Sequence, residues 1–331
     1  MKKIVLAGTM LVDHIREMER LPARGELARV HRTFDTVGGC VCNTGIDLAI
    51  LDPTLSVEAL GRVGADGDGD LILKRLQEHG IRTDRILRRG QTSFTDVLAE
   101  TACHTRTFCT FGGACDAFCA DDPGLQELDC DLFHLGYLLL LPSLDAPDAQ
   151  YGTKAAALLH HIREQGIATS VDLVSENSDR FSSVVSPALK YTDYAVINEV
   201  EAGKTVGLGL RDGSGRLIPG AIREALIRMR RLGVRKWVVI HAPEGAFGMD
   251  ESGNDAQEPS KTLPKGYIKG TTGAGDAFCA GVLLAALHGK DLTEALAWGN
   301  ASAQMSLRED TATGGMTDLQ SALQCYRAFS R

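Results

Sequence analysis

Positive charge is in short supply in this chain. Its 331 residues carry 35 Lys and Arg against 43 Asp and Glu, a net charge of −8, which argues against a nucleic acid or an anionic membrane surface as partner. A small anionic ligand stays open, because backbone dipoles at a helix end can outweigh a distant net charge. Long apolar runs are missing as well, with nothing approaching the roughly 18 uninterrupted apolar residues of a membrane span. The N-terminal MKKIVLAGTMLVDHI begins like a signal peptide, but Asp13 interrupts it and no small-residue cleavage pattern follows. It reads as the first β-strand of a cytoplasmic protein. The nine cysteines are odd in number, and the cluster Cys103, Cys109, Cys115 and Cys119 lacks the paired C-x-x-C form of zinc sites. These thiols are expected to be small buried hydrophobes in a reducing compartment.

Two ligand-binding motifs are absent too. Gly8, at the end of the first strand, does not belong to a G-x-G-x-x-G fingerprint, which disfavours a dinucleotide-binding dehydrogenase. The acidic loop GADGDGDL (64–71) resembles a calcium loop, yet Leu71 stands where the sixth-position glycine belongs and Gln77 where the twelfth-position glutamate belongs. Internal repeats and low-complexity linkers are missing, so residues 1–331 read as one domain.

What is present is a strong alternation. Hydrophobic residues make up 44% of the chain and charged residues 24%, enough for a packed core. Strand-like runs at 3–8, 57–64, 131–140, 168–174, 194–199 and 236–242 alternate with helical periodicity over 43–52, 70–80, 153–166 and 221–233. That rhythm predicts an α/β fold, a parallel sheet with helices on both faces. Residues 14–36 and 92–112 break it. Their β-type residues, as in TSFTDVLAE and HTRTFCTF, predict a small antiparallel sheet outside the main one, placed as a lid over a cleft. The stretch 243–266 is the most loop-like.

The densest motif is KGTTGAGDAFCAGVLL (269–284), three glycines and one carboxylate ahead of an apolar helix. A helix N-terminus leaves backbone N–H groups unpaired and adds the positive end of the helix dipole. Glycines there let an anion approach the backbone. Gly273, Ala274 and Gly275 therefore form a candidate anion cradle. Asp276 beside it would repel the anion unless the carboxylate takes a proton from a hydroxyl attacking that anion, which is phosphoryl transfer. The plainer alternative is an Asp capping a glycine-rich turn.

GTTGAGDAFCAGVL resembles the C-terminal signature of the ribokinase-like (PfkB) carbohydrate kinase family. VGGCVCNTGIDLAILD (37–52), LGRVGADGDGDLI (60–72) and NEVEAG (198–203) resemble further landmarks of that family in the same order. The resemblance implies a ribokinase-like three-layer α/β sandwich with a central, mainly parallel sheet and a small β-sheet lid. It implies an ATP-dependent kinase with Asp276 as general base and residues 273–275 as anion hole. On the same basis Asn198 and Glu201 organise Mg²⁺, water and the ATP phosphates, with Glu201 reaching the metal through water. Gly245, Thr272 and Asn300 fall at nucleotide-binding positions, and Asp13, Gly38, Gly39 and Asn43 at positions that bind substrate hydroxyls.

Some positions depart from the pattern. Gly270 replaces the usual aspartate beside a monovalent-cation site, and SLREDTATGG (306–315) differs as well, which puts K⁺ dependence in doubt. His241-Ala242-Pro243 replaces the usual Thr-Leu-Gly. On the substrate side Leu11 and Cys40 replace polar residues, GYLLLLPS (136–143) replaces a carboxylate-bearing segment with Tyr137 nearest, and Arg106 sits in the lid. Fewer polar partners point away from ribose and toward a sugar-like or nucleoside-like acceptor. The alternatives are a nucleoside kinase of the same family, or a sugar or nucleotide sensor on the kinase fold that does no chemistry. A homodimer through the lids is a further family-level expectation, and neither a nucleic acid nor a membrane is expected as partner.

Overall fold

A computed structural model describes residues 1–103 and 105–329; His104, inside the expected lid segment 92–112, and the terminal Ser330 and Arg331 lie outside the described residues. In chain order the strands are β1 (Lys3–Gly8), β2 (Leu11–Met18), β3 (Val30–Gly38), β4 (Ser56–Val63), β5 (Arg82–Arg88), β6 (Ser93–Glu100), β7 (Thr105–Phe111), β8 (Leu132–Leu138), the short pair β9 (Pro147–Asp148) and β10 (Gly152–Thr153), then β11 (Ala168–Leu173), β12 (Tyr194–Asn198), β13 (Trp237–Ala242), β14 (Gly245–Met249) and β15 (Asp255–Pro259).

Apolar residues on both sides of a strand demand cover on both sides. In β1, Ile4 and Leu6 join one hydrophobic cluster while Val5 and Ala7 join another across the sheet. The nine-stranded sheet runs β15-β14-β13-β12-β11-β8-β1-β4-β5, and every pairing from β13 to β5 is parallel. Helices Cys40–Leu51, Gly67–Glu78, Ala274–Leu287, Leu292–Ser306 and Leu319–Ala328 cover one face, and helices Lys154–Glu164, Phe181–Leu189, Glu199–Val206 and Pro219–Leu232 the other. This is the expected three-layer sandwich. Among the described residues no helix is long and apolar enough to cross a membrane.

Three expectations need correction. The loop-like stretch 243–266 contains β14 and β15, which extend the sheet antiparallel from β13. GAFGM and DAQEP carry little strand signal of their own, and pairing with the edge of β13 supplies what local sequence does not. The lid, ordered β3-β2-β6-β7, is antiparallel at β2–β3 and β6–β7 but parallel at β2–β6. Both central lid strands leave the body from the carboxyl ends of parallel strands, β1 and β5, and so point the same way. The lid starts at Leu11, which places Asp13 within β2 rather than at the end of the first strand. Finally, Cys103 and Cys109 are exposed rather than buried, whereas Cys115 is buried and Cys119 half-buried. Cys109 belongs to β7, an edge strand exposed along its length.

Helices Cys40–Leu51 and Ala274–Leu287 pack in one cluster, and Asp47 of the first is 0% exposed with no hydrogen-bond partner for either carboxyl oxygen among the described residues. Burial, reinforced by the charge of Asp276, raises its pKa well above the usual carboxylate range. The folded state therefore holds a proton that the unfolded chain releases above about pH 4, and stability falls as pH rises through that window. Asp47→Asn removes this dependence. In denaturant melts at pH 5 and pH 8, the variant should gain on the parent as pH rises, by up to about 1.4 kcal/mol per pH unit; an equal difference at both pH values would contradict a buried neutral acid.

Candidate active site

Ligands of open α/β sheets sit beyond the carboxyl ends of the parallel strands, and those ends carry Tyr137 (β8), Asp172 (β11), Asn198 (β12) and His241 (β13). Asn198 and His241 are register partners on neighbouring strands. Facing them is the N-terminus of helix Ala274–Leu287, whose N-cap Gly273 has φ +80°. No side chain is tolerated there without displacement: a β-carbon on Gly273 would lie 2.6 Å from the Ala312 β-carbon. The left-handed turn aims the start of the helix at the cleft, so the backbone of 273–275 and the positive end of the helix dipole border the same space.

Asp276 lies in the first turn of that helix, 5% exposed. Its Oδ2 accepts the Asn43 side-chain amide at 2.9 Å, and both of its oxygens accept the Tyr137 hydroxyl at 3.0 Å. Burial first, then the neighbouring Asp172 carboxylate, push its pKa up to about 7 against the pull of Asn43 and Tyr137. A carboxyl at that value can take a proton at neutral pH and release it again. The backbone N–H of Tyr137 donates to Asp172 Oδ1 at 2.6 Å, so Asp172 both orients the tyrosine and loads the electrostatics of Asp276.

The other side of the cleft is closed by the lid. Asp13 stands over Gly38, where a β-carbon would come within 2.6 Å of its Oδ2. Burial raises Asp13 to about 6 against the opposing charges of Arg106 and His14. Gly39 caps helix Cys40–Leu51 with φ +83°, and Asn43 in its first turn reaches Asp276. Of the four predicted substrate positions, Asn43 bonds the predicted base, while Asp13 and Gly38 stand against each other at the foot of the lid. Leu11 and Cys40 are buried and apolar. From lid strand β7, Arg106 Nη1 donates to Thr272 Oγ1 at 2.7 Å, joining the lid to the anion loop.

A cavity of about 630 Å³ opens on the far side of the loop, lined by His241, Pro243, Lys261, Leu263, Asn300 and Leu307 among others. A smaller one of about 200 Å³ holds Asp172, Glu201, Gly273 and Asp276, and Asn198, His241 and Gly275 line both. Asn198 and Glu201 form a capping box, in which Glu201 Oε1 accepts Ser175 Oγ at 2.7 Å and Asn198 Nδ2 at 2.8 Å, and Oε2 accepts Asn198 N at 3.0 Å. Burial raises Glu201 to about 7. An oxygen-only donor set suits Mg²⁺, and with three bonds already made the carboxylate fits a contact through water better than direct ligation. Asn300 holds the edge of the larger cavity, donating to Glu258 O at 2.9 Å. Gly245 does not line either cavity; it closes the β13–β14 hairpin, with Glu258 O 2.6 Å from where its β-carbon would lie. Thr272 is outside both cavities and is met instead by Arg106. The K⁺ site that the family resemblance raised does not fit: Gly270 brings no carboxylate, and a side chain there would meet Asp310 Cα and Glu309 O at 3.0 Å.

Asp172 and Ser175 escaped the sequence reading, although an acid ending the strand-like ATSVDLV was a usable signal. His241 is marked by the sequence only as a departure from the family pattern at the end of a strand-like run. It stands against Gly275, whose β-carbon would lie 3.5 Å from its ring, is tilted on Phe278, and is kept neutral by burial, with a pKa lowered to about 4.

The chain matches the profile of the pfkB family carbohydrate kinases over residues 1–318. It is 23% identical to a ribokinase of Arabidopsis thaliana over 98% of this chain and 81% of that protein, and 22% identical to an adenosine kinase of Schizophyllum commune over 89% and 86%. Its fold is similar to the solved structure of Arabidopsis thaliana ribokinase complexed with ribose and ATP, with a TM-score of 0.80 at 21% identity over 98% and 99% of the two chains.

The two loop glycines should respond differently to a methyl group. Gly273→Ala forces both an unfavourable φ and a clash with Ala312, and is expected to destabilise by about 1–3 kcal/mol. Gly275→Ala meets only His241 at contact distance and sits in a helix, where alanine gains about 0.5–1 kcal/mol. Thermal melts of the two variants check this; equal losses would contradict the described loop.

Proposed function

Because this chain belongs to the pfkB family of carbohydrate kinases, we propose that it transfers the γ-phosphoryl group of ATP to a hydroxyl of a small sugar-like or nucleoside-like acceptor. The observation that carries this reading is Asp276: a buried carboxylate poised at about 7, in the first turn of a helix whose N-terminus can hold a phosphate, and already bonded to one hydroxyl and one amide. ATP would occupy the larger cavity, with its base toward Asn300 and Leu307 and its phosphates running past His241 to residues 273–275. The acceptor would lie under the lid between Asp13 and Asn43.

As the acceptor oxygen bonds to the γ-phosphorus, its proton passes to Asp276, the bond from the γ-phosphorus to the β,γ-bridging oxygen breaks, and ADP leaves. The amides of 273–275 receive the charge that develops on the transferring group. Glu201, with Asn198 beside it, would hold Mg²⁺ through water, and the ion would supply charge neutralisation on the phosphates. Arg106, which bridges the lid to Thr272, brings a cation over the same loop and helps exclude water from the closed site. The buried Leu11 beside Asp13 and the buried Cys40 beside Gly136 support an acceptor with an apolar face over one hydroxylated all round. The lid edge β7 exposes Phe108 (59%) and Phe111 (41%), and an open edge with aromatic residues supports pairing with the lid of a second copy.

ADP release with Mg·ATP across a panel of sugars, sugar acids and nucleosides tests the activity. Turnover should depend on one acceptor class, fall about 10²–10⁴-fold in Asp276→Asn, and decline as pH drops below about 7, where the base becomes protonated. Near-parental turnover in the variant would remove Asp276 from the chemistry, and binding of ATP without turnover on any acceptor would favour a sensor. Phe108→Asp should convert a dimer to a monomer in light scattering; an unchanged mass would exclude this edge as the interface.

A further inference from the structure

The carboxylate assigned as base is already engaged in this structure. Tyr137 Oη stands 3.0 Å from both oxygens of Asp276, within the range a reacting acceptor hydroxyl must reach for proton transfer. This contact depends on an unusual backbone. Tyr137 has φ +61° and Leu139 φ +81°, and bulky residues enter the left-handed region only when their surroundings hold them there. The holding bonds are Tyr137 N to Asp172 Oδ1 at 2.6 Å and Leu140 N to Tyr137 O at 3.0 Å. The end of β8 is therefore bent so that a phenol, rather than a water or an aliphatic chain, meets the base.

We infer that Tyr137 is an internal stand-in for the acceptor: its hydroxyl occupies the base before an acceptor binds, and the acceptor's reacting hydroxyl displaces it. The inference rests on the reading of Asp276 as general base. With the phenol in place, ATP can bind while the base is unavailable to water, so hydrolysis is suppressed until an acceptor alcohol arrives. Tyr137 is in this sense a positioning residue. The phenol and the Asn43 amide favour the ionised carboxylate, while burial and Asp172 on β11 oppose it, and His134 on β8 lies close enough to add to the balance. The remaining titratable groups that feel Asp276 are Cys40, Cys42 and Asp47 on helix Cys40–Leu51 and Cys279 on its own helix.

Two measurements on Tyr137→Phe need no knowledge of the acceptor. First, ¹³C-carboxyl NMR of aspartate-labelled protein, with the Asp276 signal assigned by its loss in Asp276→Asn, should show that carboxyl titrating about one unit higher in Tyr137→Phe, the effect of one lost hydrogen bond to a charged group. Second, acceptor-free hydrolysis of Mg·ATP should rise about tenfold: water passes its proton to Asp276, its oxygen bonds to the γ-phosphorus, and ADP and phosphate leave. That gain should vanish in the double variant Asp276→Asn/Tyr137→Phe. An unmoved titration would overturn the contact. A moved titration with unchanged hydrolysis would overturn the stand-in role. A hydrolysis gain that persists in the double variant would overturn Asp276 as the base and the stand-in role with it.

Discussion

Burying a carboxylate while keeping it ionisable is the constraint on which this structure turns. Asp276 sits where two opposing fields meet. The Asn43 amide and the Tyr137 hydroxyl favour the ionised carboxylate, while removal from water and the nearby Asp172 disfavour it, and the balance falls at about 7. The contributors come from several elements: β8 for Tyr137 and His134, β11 for Asp172 and the helix after Gly39 for Asn43. A parallel sheet collects these elements because its strands all end on one side.

The same collection explains the lid. β2 and β6 leave the body from the carboxyl ends of β1 and β5, so they run parallel at the centre of the small sheet and stand over the one edge where the site lies. Arg106 on β7 spans from that sheet to Thr272, so one lid residue joins the lid to the glycine loop. The segment 309–312 packs against Gly270 and Gly273 from behind. That packing leaves no room for a carboxylate at 270, and it holds the anion loop by van der Waals contact where an ion would otherwise be expected.

Much of this was legible in the sequence because it rests on local rules. Apolar runs ended by glycine mark the strands, and 3.6-residue periodicity marks the helices. Three glycines before an apolar helix mark a helix N-terminus open to an anion. Asp13, Gly38, Gly39, Asn43, Asn198, Glu201 and Asp276 were all found from motif and resemblance; the structure sets Asn198, Glu201 and Asp276 around one cavity and bonds Asn43 to Asp276. Gly245 and Thr272 were found the same way, yet one closes a hairpin and the other meets the lid. β14 and β15 were not legible, because GAFGM and DAQEP become strands through the edge they pair with. Cys103 and Cys109 were misjudged for a similar reason: whether a small thiol is buried depends on where the fold puts it, and these lie in the turn after β6 and on the exposed edge strand β7.

By itself the sequence determined the layer architecture, a helix start open to an anion and the identity of the acid beside it, since each follows from the spacing of neighbouring residues along the chain. Only the tertiary structure decided what that acid is worth. Tyr137, 139 residues away from it in sequence, and Asp172 on another strand set its bonds and its proton affinity. Hydrogen bonds and charges act through space over a few ångströms, and which groups come that close is settled by the order of strands in the sheet, which no local pattern carries.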